Sequence, residues 1–105
     1  LALDQAVALD ASDTRAYFNR GCACHEQGHY AAALRDFDRV IALNPHHAET
    51  YFNRGAVKQQ LGNLDGAMTD FQAAFTQFQQ QGNLDGAQRA KLRLQQMQQP
   101  RQAIG

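Results

Sequence analysis

The stretch "AYFNRGCACHEQGHYAAALRDF", residues 16–37, returns as "TYFNRGAVKQQLGNLDGAMTDF", residues 50–71, at an offset of 34. The copies share Tyr17 with Tyr51, Phe18 with Phe52, the whole "NRG", Gly28 with Gly62, Ala33 with Ala67, and the closing Asp36 and Phe37 with Asp70 and Phe71. A half-copy comes earlier, where "AVALD" at residues 6–10 falls 34 before "VIALN" at residues 40–44. Self-similarity at such a period marks stacked units, none of which buries its apolar face alone.

Within each unit the apolar pattern is helical twice over. Tyr17, Gly21, Cys24 and Gly28 follow i, i+4, i+7, i+11, and Ala33, Phe37, Val40 and Ile41 trace a second stripe. Small Gly21 and Ala33 let two such helices approach closely. Gly28 suits a left-handed helix end, and Pro45 stops the second helix. The unit is therefore read as a helical hairpin.

On these residues the sequence resembles the tetratricopeptide repeat family. The family's positions of aromatic, Gly, Ala, aromatic and Pro are met by Tyr17, Gly21, Ala33, Phe37 and Pro45. The second unit supplies Tyr51, Gly55, Ala67 and Phe71, but has Gln79 in place of the proline and Lys58 where a bulky packing residue is usual. The resemblance implies an all-α fold, a right-handed superhelical array of antiparallel helical hairpins, a TPR-like solenoid.

A shorter echo, "GNLDGA", occurs at residues 62–67 and again at 82–87. With no proline near Gln79, the helix opened by the first copy is expected to run from Leu64 to about Gln81. The second copy then repeats the turn and leads into "QRAKLRLQQMQ". One helix thus closes one hairpin and opens the next. The final helix, with Ala87, Ala90, Leu94 and Met97 inward and Gln88, Lys91, Gln95 and Gln98 outward, has the one-sided character of a cap. The expected organisation is residues 1–13 as the end of a preceding repeat helix and turn, 14–47 as repeat 1, 48–81 as repeat 2 with an extended second helix, 82–99 as a C-terminal capping helix, and 100–105 as a tail. The glutamines of residues 72–102 are interleaved with helical apolar positions, so they read as solvated helix faces.

Across 105 residues, ten Lys plus Arg balance ten Asp plus Glu. No net field gathers phosphates or anionic lipid, so neither nucleic acid nor membrane is an expected partner. The longest apolar runs, such as "YAAAL", fall well short of a bilayer span. The chain opens on Leu1 in what reads as mid-helix, the look of an excerpt. Cys22 and Cys24, two apart on a helix, point to different sides and are expected as reduced thiols in a cytoplasmic setting.

No catalytic constellation is present. Ser12 is the only serine, "GxSxG", "HExxH" and phosphate-loop motifs are missing, and no enzyme or cofactor is expected. Cys22 and His25 share a helix face near His29, His46 and His47, a zinc-competent set of residue types. The second repeat has Ala56 and Gln59 at the equivalent places, and the preferred reading has no metal site, Cys24 packed in the helix interface, Cys22 half-exposed and the histidines facing solvent from turns.

Arg20 with Asp36 recurs as Arg54 with Asp70, and recurrence favours a structural ion pair, within a hairpin or between neighbours, over ligand binding. The resemblance implies that the first helix of each hairpin lines a concave groove for a peptide or helix of another polypeptide. By position this groove presents Arg15, Phe18, Cys22 and His25, then Glu49, Phe52, Ala56 and Gln59. Each set runs i, i+3, i+7, i+10, one helix face distinct from that of Tyr17. Phe18 and Phe52 either anchor a partner or fill the gap between hairpins. The family's carboxylate-gripping clamp is not reproduced, because Phe18 and Cys22 stand where Lys and Asn belong and a third repeat with Lys and Arg is missing. A non-catalytic protein-interaction or scaffolding module is the leading expectation. The alternatives are self-association into a homo-oligomer and a metal- or redox-responsive module using Cys22 and His25.

Overall fold

The computed structural model describes residues 13–98, and the expected leading helix, with Leu3 and Val7, and the tail at 100–105 lie outside them. Five helices follow in order: α1 (Thr14–Glu26), α2 (Tyr30–Leu43), α3 (Ala48–Gln60), α4 (Leu64–Gln80) and α5 (Leu84–Gln98). Each packs mainly on its sequence neighbour, α1 on α2, α3 on α4 and α4 on α5, with a lighter contact of α2 on α3. This is the nearest-neighbour packing of a solenoid.

The turns explain the repeated hexapeptide. Gly28, Gly62 and Gly82 have φ of 80°, 83° and 72°, the left-handed conformation that glycine adopts without a Cβ penalty. At each, two backbone bonds close the preceding helix: Gly62 N–H donates to Gln59 and Asn63 N–H to Lys58, and the same pair recurs at Gly28 and His29 and at Gly82 and Asn83. Asn63 and Asn83 then cap the next helix, their Oδ1 accepting from Gly66 N–H at 3.0 Å and Gly86 N–H at 2.9 Å. "GNLDGA" is thus a helix stop followed directly by a helix start. The final helix accordingly begins at Leu84, inside the hexapeptide.

Phe37 and Phe71 are fully buried, each against the glycine of the facing helix. A Cβ on Gly21 would lie 2.7 Å from the Phe37 ring, and one on Gly55 would lie 3.1 Å from the Phe71 ring and 3.2 Å from the Ala67 carbonyl. The glycine therefore makes room chiefly for the aromatic, and in the second repeat for the alanine's backbone too. One apolar cluster joins α3, α4 and α5 around Phe52, Phe71, Phe78 and Leu94, and a second brings Val57 of α3 onto Ala33 and Phe37 of α2. Tyr17 packs with Val40 in a third. Ala87, Ala90 and Leu94 are buried and Met97 packs against the first cluster, while Gln88, Lys91, Gln95 and Gln98 are exposed.

The recurrent ion pairs sit inside the hairpins. Asp36, 2% exposed, accepts from Arg20 Nε at 2.8 Å and Nη2 at 2.7 Å, and from Arg39 Nη1 at 3.0 Å. Asp70, equally buried, accepts from Arg54 Nε at 2.9 Å and Nη2 at 2.8 Å, and Lys58 Nζ comes within 3.2 Å. Lys58, the departure from the family pattern, therefore serves as a second cation for the buried carboxylate. Arg54 Nη1 also reaches Asp38 of α2 at 2.8 Å, so one guanidinium ties a hairpin together and links it to its neighbour. Hydrogen bonding to Asp70 raises the Arg54 pKa above its ordinary value, against the opposing effect of burial. Among the described residues no buried side-chain N or O atom lacks a partner.

Candidate functional site

The first helices α1 and α3 and the final helix α5 carry the candidate face. Adjacent helices meet there through side chains: Asn53 Nδ2 donates to Cys22 Sγ at 3.5 Å, Arg89 of α5 pairs with Glu49 of α3 at 3.2 Å, and Arg93 donates to Gln59 Oε1 at 3.1 Å. Long polar side chains span the space between the backbones of α3 and α5.

On α1, Arg15 is exposed and Phe18, Cys22 and His25 are half-buried. Phe18 leans on Phe37 with centroids 6.1 Å apart and on His47 at 5.1 Å, so it both seals the hairpin and keeps part of its ring accessible. His25 meets the edge of Tyr30 at 5.9 Å. His47 bonds through Nδ1 with Thr50 Oγ1 at 2.7 Å. The expectation of histidines facing solvent from turns therefore holds for His29 and His46 and is corrected for the other two. His25 lies within α1, and both it and His47 are half-buried against aromatic rings.

On α3, Phe52 is only 9% exposed and stacks edge-on to Phe71 at 5.2 Å. Of the two roles open to it, its area goes into the core between α3, α4 and α5. Ala56 is half-buried against the same cluster, Gln59 is half-buried beside Arg93, and Glu49 is held by Arg89. Tyr51 donates its hydroxyl to the Pro45 carbonyl at 2.8 Å, fixing the α2–α3 loop to α3.

Arg89 and Arg93 were not among the expected site residues. Arg89 Cζ lies 5.0 Å from the Phe52 centroid and 5.7 Å from that of Phe78, and Arg93 Cζ lies 5.3 Å from Phe52 and 5.2 Å from Phe71. The single helix α5 thus brings two arginines to this face. Their signal in the sequence is the i, i+4 spacing beside the inward stripe of Ala90 and Leu94.

A depression of about 360 Å³ lies between the α2–α3 loop and the α4–α5 turn, lined by Asn44, His46, His47, Glu49, Phe78 and Asn83 among others. It is made by the long α4, whose end reaches back to that loop: Gln77 Oε1 meets His46 Nδ1 at 3.2 Å and Gln81 Nε2 donates to the His46 carbonyl.

Burial raises the Cys22 thiol above its ordinary pKa, Glu26 and Glu49 push the same way, and the Asn53 hydrogen bond opposes them. A thiol held protonated is a weak nucleophile and a weak metal ligand. Among the described residues no three His, Cys, Asp or Glu side chains form a group that could hold a metal ion, and no helix is long and apolar enough to cross a membrane.

Two family models, both of the tetratricopeptide repeat, match the chain, one over residues 14–47 and the other over residues 48–80. Among curated protein sequences none matches the chain. Among solved structures the chain resembles PcrH in complex with the chaperone binding region of PopD, with a TM-score of 0.87 and 25% identity over 90% of this chain and 72% of that one. It shares a fold with the Type III secretion translocator chaperone SycD of Yersinia enterocolitica, with a TM-score of 0.85 and 17% identity over 90% of this chain and 66% of that one. It also shares a fold with MamA, at 0.68 and 23% over 90% and 64%. With the 34-residue period, the three Gly turns and the aromatic-on-glycine packing in place, the chain belongs to the tetratricopeptide repeat family.

Proposed function

We propose that the chain is a non-catalytic interaction module that holds a segment of another polypeptide, as a peptide or a helix, in a concave groove formed by α1, α3 and α5. The observation that carries the reading is the half-buried Phe18, set between His47 and Phe37 on the face that α1 shares with α3. An aromatic ring with a buried base and an accessible edge, rimmed by polar groups, is the composition of an anchor site. The likeness to PcrH, which is described in complex with a binding region of another protein, supports a polypeptide as the ligand. Free thiols at Cys22 and Cys24 support a reducing compartment such as the cytoplasm.

The test is a selection from a library of random peptides on the immobilised chain, followed by calorimetry of the enriched sequences. Binding at one peptide per chain is expected, weakened at least tenfold by Phe18→Ala in a variant whose circular dichroism still reports the helical array. Equal affinity for the two proteins would place the binding surface elsewhere.

A further inference from the structure

Arg89 and Arg93 share one aromatic ring, that of Phe52, but not one carboxylate. Arg89 meets Glu49, whereas Arg93 gives a single bond to the neutral amide of Gln59 and, among the described residues, forms no ion pair. Arg15, exposed on the corresponding face of α1, forms none there either. Arg93 is therefore a cation on this face without a carboxylate of its own, in a chain that is neutral as a whole and with Glu26 and Glu49 near Cys22. Arg93 is half-buried over two aromatic rings, where the apolar backing weakens solvent screening, and among the described residues Nη1 to Gln59 is its one side-chain hydrogen bond.

Resting on the groove reading, we propose that the partner segment carries an Asp or Glu side chain close to its apolar anchor, and that Arg93, with Arg89 beside it, receives this carboxylate over the Phe52 ring. An extended segment turns alternate side chains to the same surface, so one acid within a few residues of the anchor serves both places. The carboxylate belongs to a side chain, so the interaction needs no free chain end.

The experiment uses a library of about 12-residue internal peptides with amidated C-termini, selected on the wild-type chain and on the Arg93→Gln variant, with helicity checked for each. The expected result is enrichment of Asp or Glu near an apolar residue on the wild type only. The best peptide should lose roughly tenfold in affinity with Arg93→Gln, recover part of it with Arg93→Lys, and weaken as NaCl rises. A neutral control peptide should bind both proteins alike. Apolar enrichment without acid would overturn the inference and leave the groove reading standing. Acid enrichment that survives Arg93→Gln, a requirement for a free C-terminus, or equal losses for acidic and neutral peptides would also overturn it. No enrichment at all would sink the groove reading and this inference together.

Discussion

Replacing Arg54 with Leu removes two of the three contacts that basic side chains make to Asp70, at 2.9 and 2.8 Å, and leaves Lys58 at 3.2 Å from one carboxylate oxygen. Taking one partner from a buried pair costs about 3–5 kcal/mol, because the remaining charge is stranded in a poor solvent. Lys58 keeps one side of the carboxylate partnered and Leu replaces much of the lost apolar stem, which lowers the expected cost to about 2–3 kcal/mol. The bond to Asp38 adds little, since Asp38 is 61% exposed and such pairs contribute about 0–1 kcal/mol. Asp70→Leu should cost more, about 3–4 kcal/mol, because it sets Arg54 and Lys58 side by side without their shared acid. The double variant removes the acid together with one cation and should lose only about 1–2 kcal/mol. Urea unfolding followed by circular dichroism gives all three values, and the cycle should show a coupling of roughly 3 kcal/mol or more. A loss below about 1 kcal/mol for Arg54→Leu, or a double variant that loses the sum of the singles, would refute the buried-pair argument. Arg54 lies behind the proposed groove, so peptide affinity should be unchanged in the folded variant.

Gly21→Ala should destabilise more than Gly55→Ala, by about 1 kcal/mol, because the added methyl meets the buried Phe37 ring at 2.7 Å rather than Phe71 at 3.1 Å; paired urea titrations that gave the reverse order would contradict the packing. Gly62→Ala should cost about 1–2 kcal/mol through its positive φ alone, since nothing lies within 4 Å of the new Cβ, and Gly62→Asn should cost less. In a Cys24→Ala background, Cys22 should be alkylated more slowly in the folded than in the urea-unfolded protein, with a pH midpoint above the ordinary thiol range. The stability from burying the neutral thiol is fully present below that range and declines as pH rises through the raised folded value. Asn53→Ala removes the hydrogen bond that opposes this rise and should push the midpoint further up; a fall would show that the bond favours the thiol over the thiolate.

Much of the architecture was legible because its determinants are local and recur. The period of 34 places Tyr17, Gly21, Ala33 and Phe37 against their copies, and Gly–Asn at residues 62–63 and 82–83 encodes a helix stop and start within two residues. The candidate face was legible only in outline. Phe18 and Phe52 are equivalent in sequence, yet Phe18 keeps part of its ring accessible beside His47 while Phe52 is covered by Phe71 and by the arginines of α5. The difference lies in the neighbours each ring meets, which are far away in sequence. Arg89 and Arg93 were not read as site residues for the same reason, because a side chain's reach across a helix interface has no period.

What the sequence determined by itself is the unit: its length, its two helices, the glycines at its turns and the recurrence of an arginine with an aspartate, which the structure then places inside the hairpin. Each depends on backbone conformation or on contacts repeated at a fixed offset, and repetition makes such contacts visible as pattern. What only the tertiary structure decided is how unlike units meet, with Arg54 crossing to Asp38, Lys58 joining Asp70, and α5 laying two arginines over Phe52. These contacts occur once each and depend on distances between separate helices, where a fraction of a turn or a few ångströms separates an ion pair from a solvated charge.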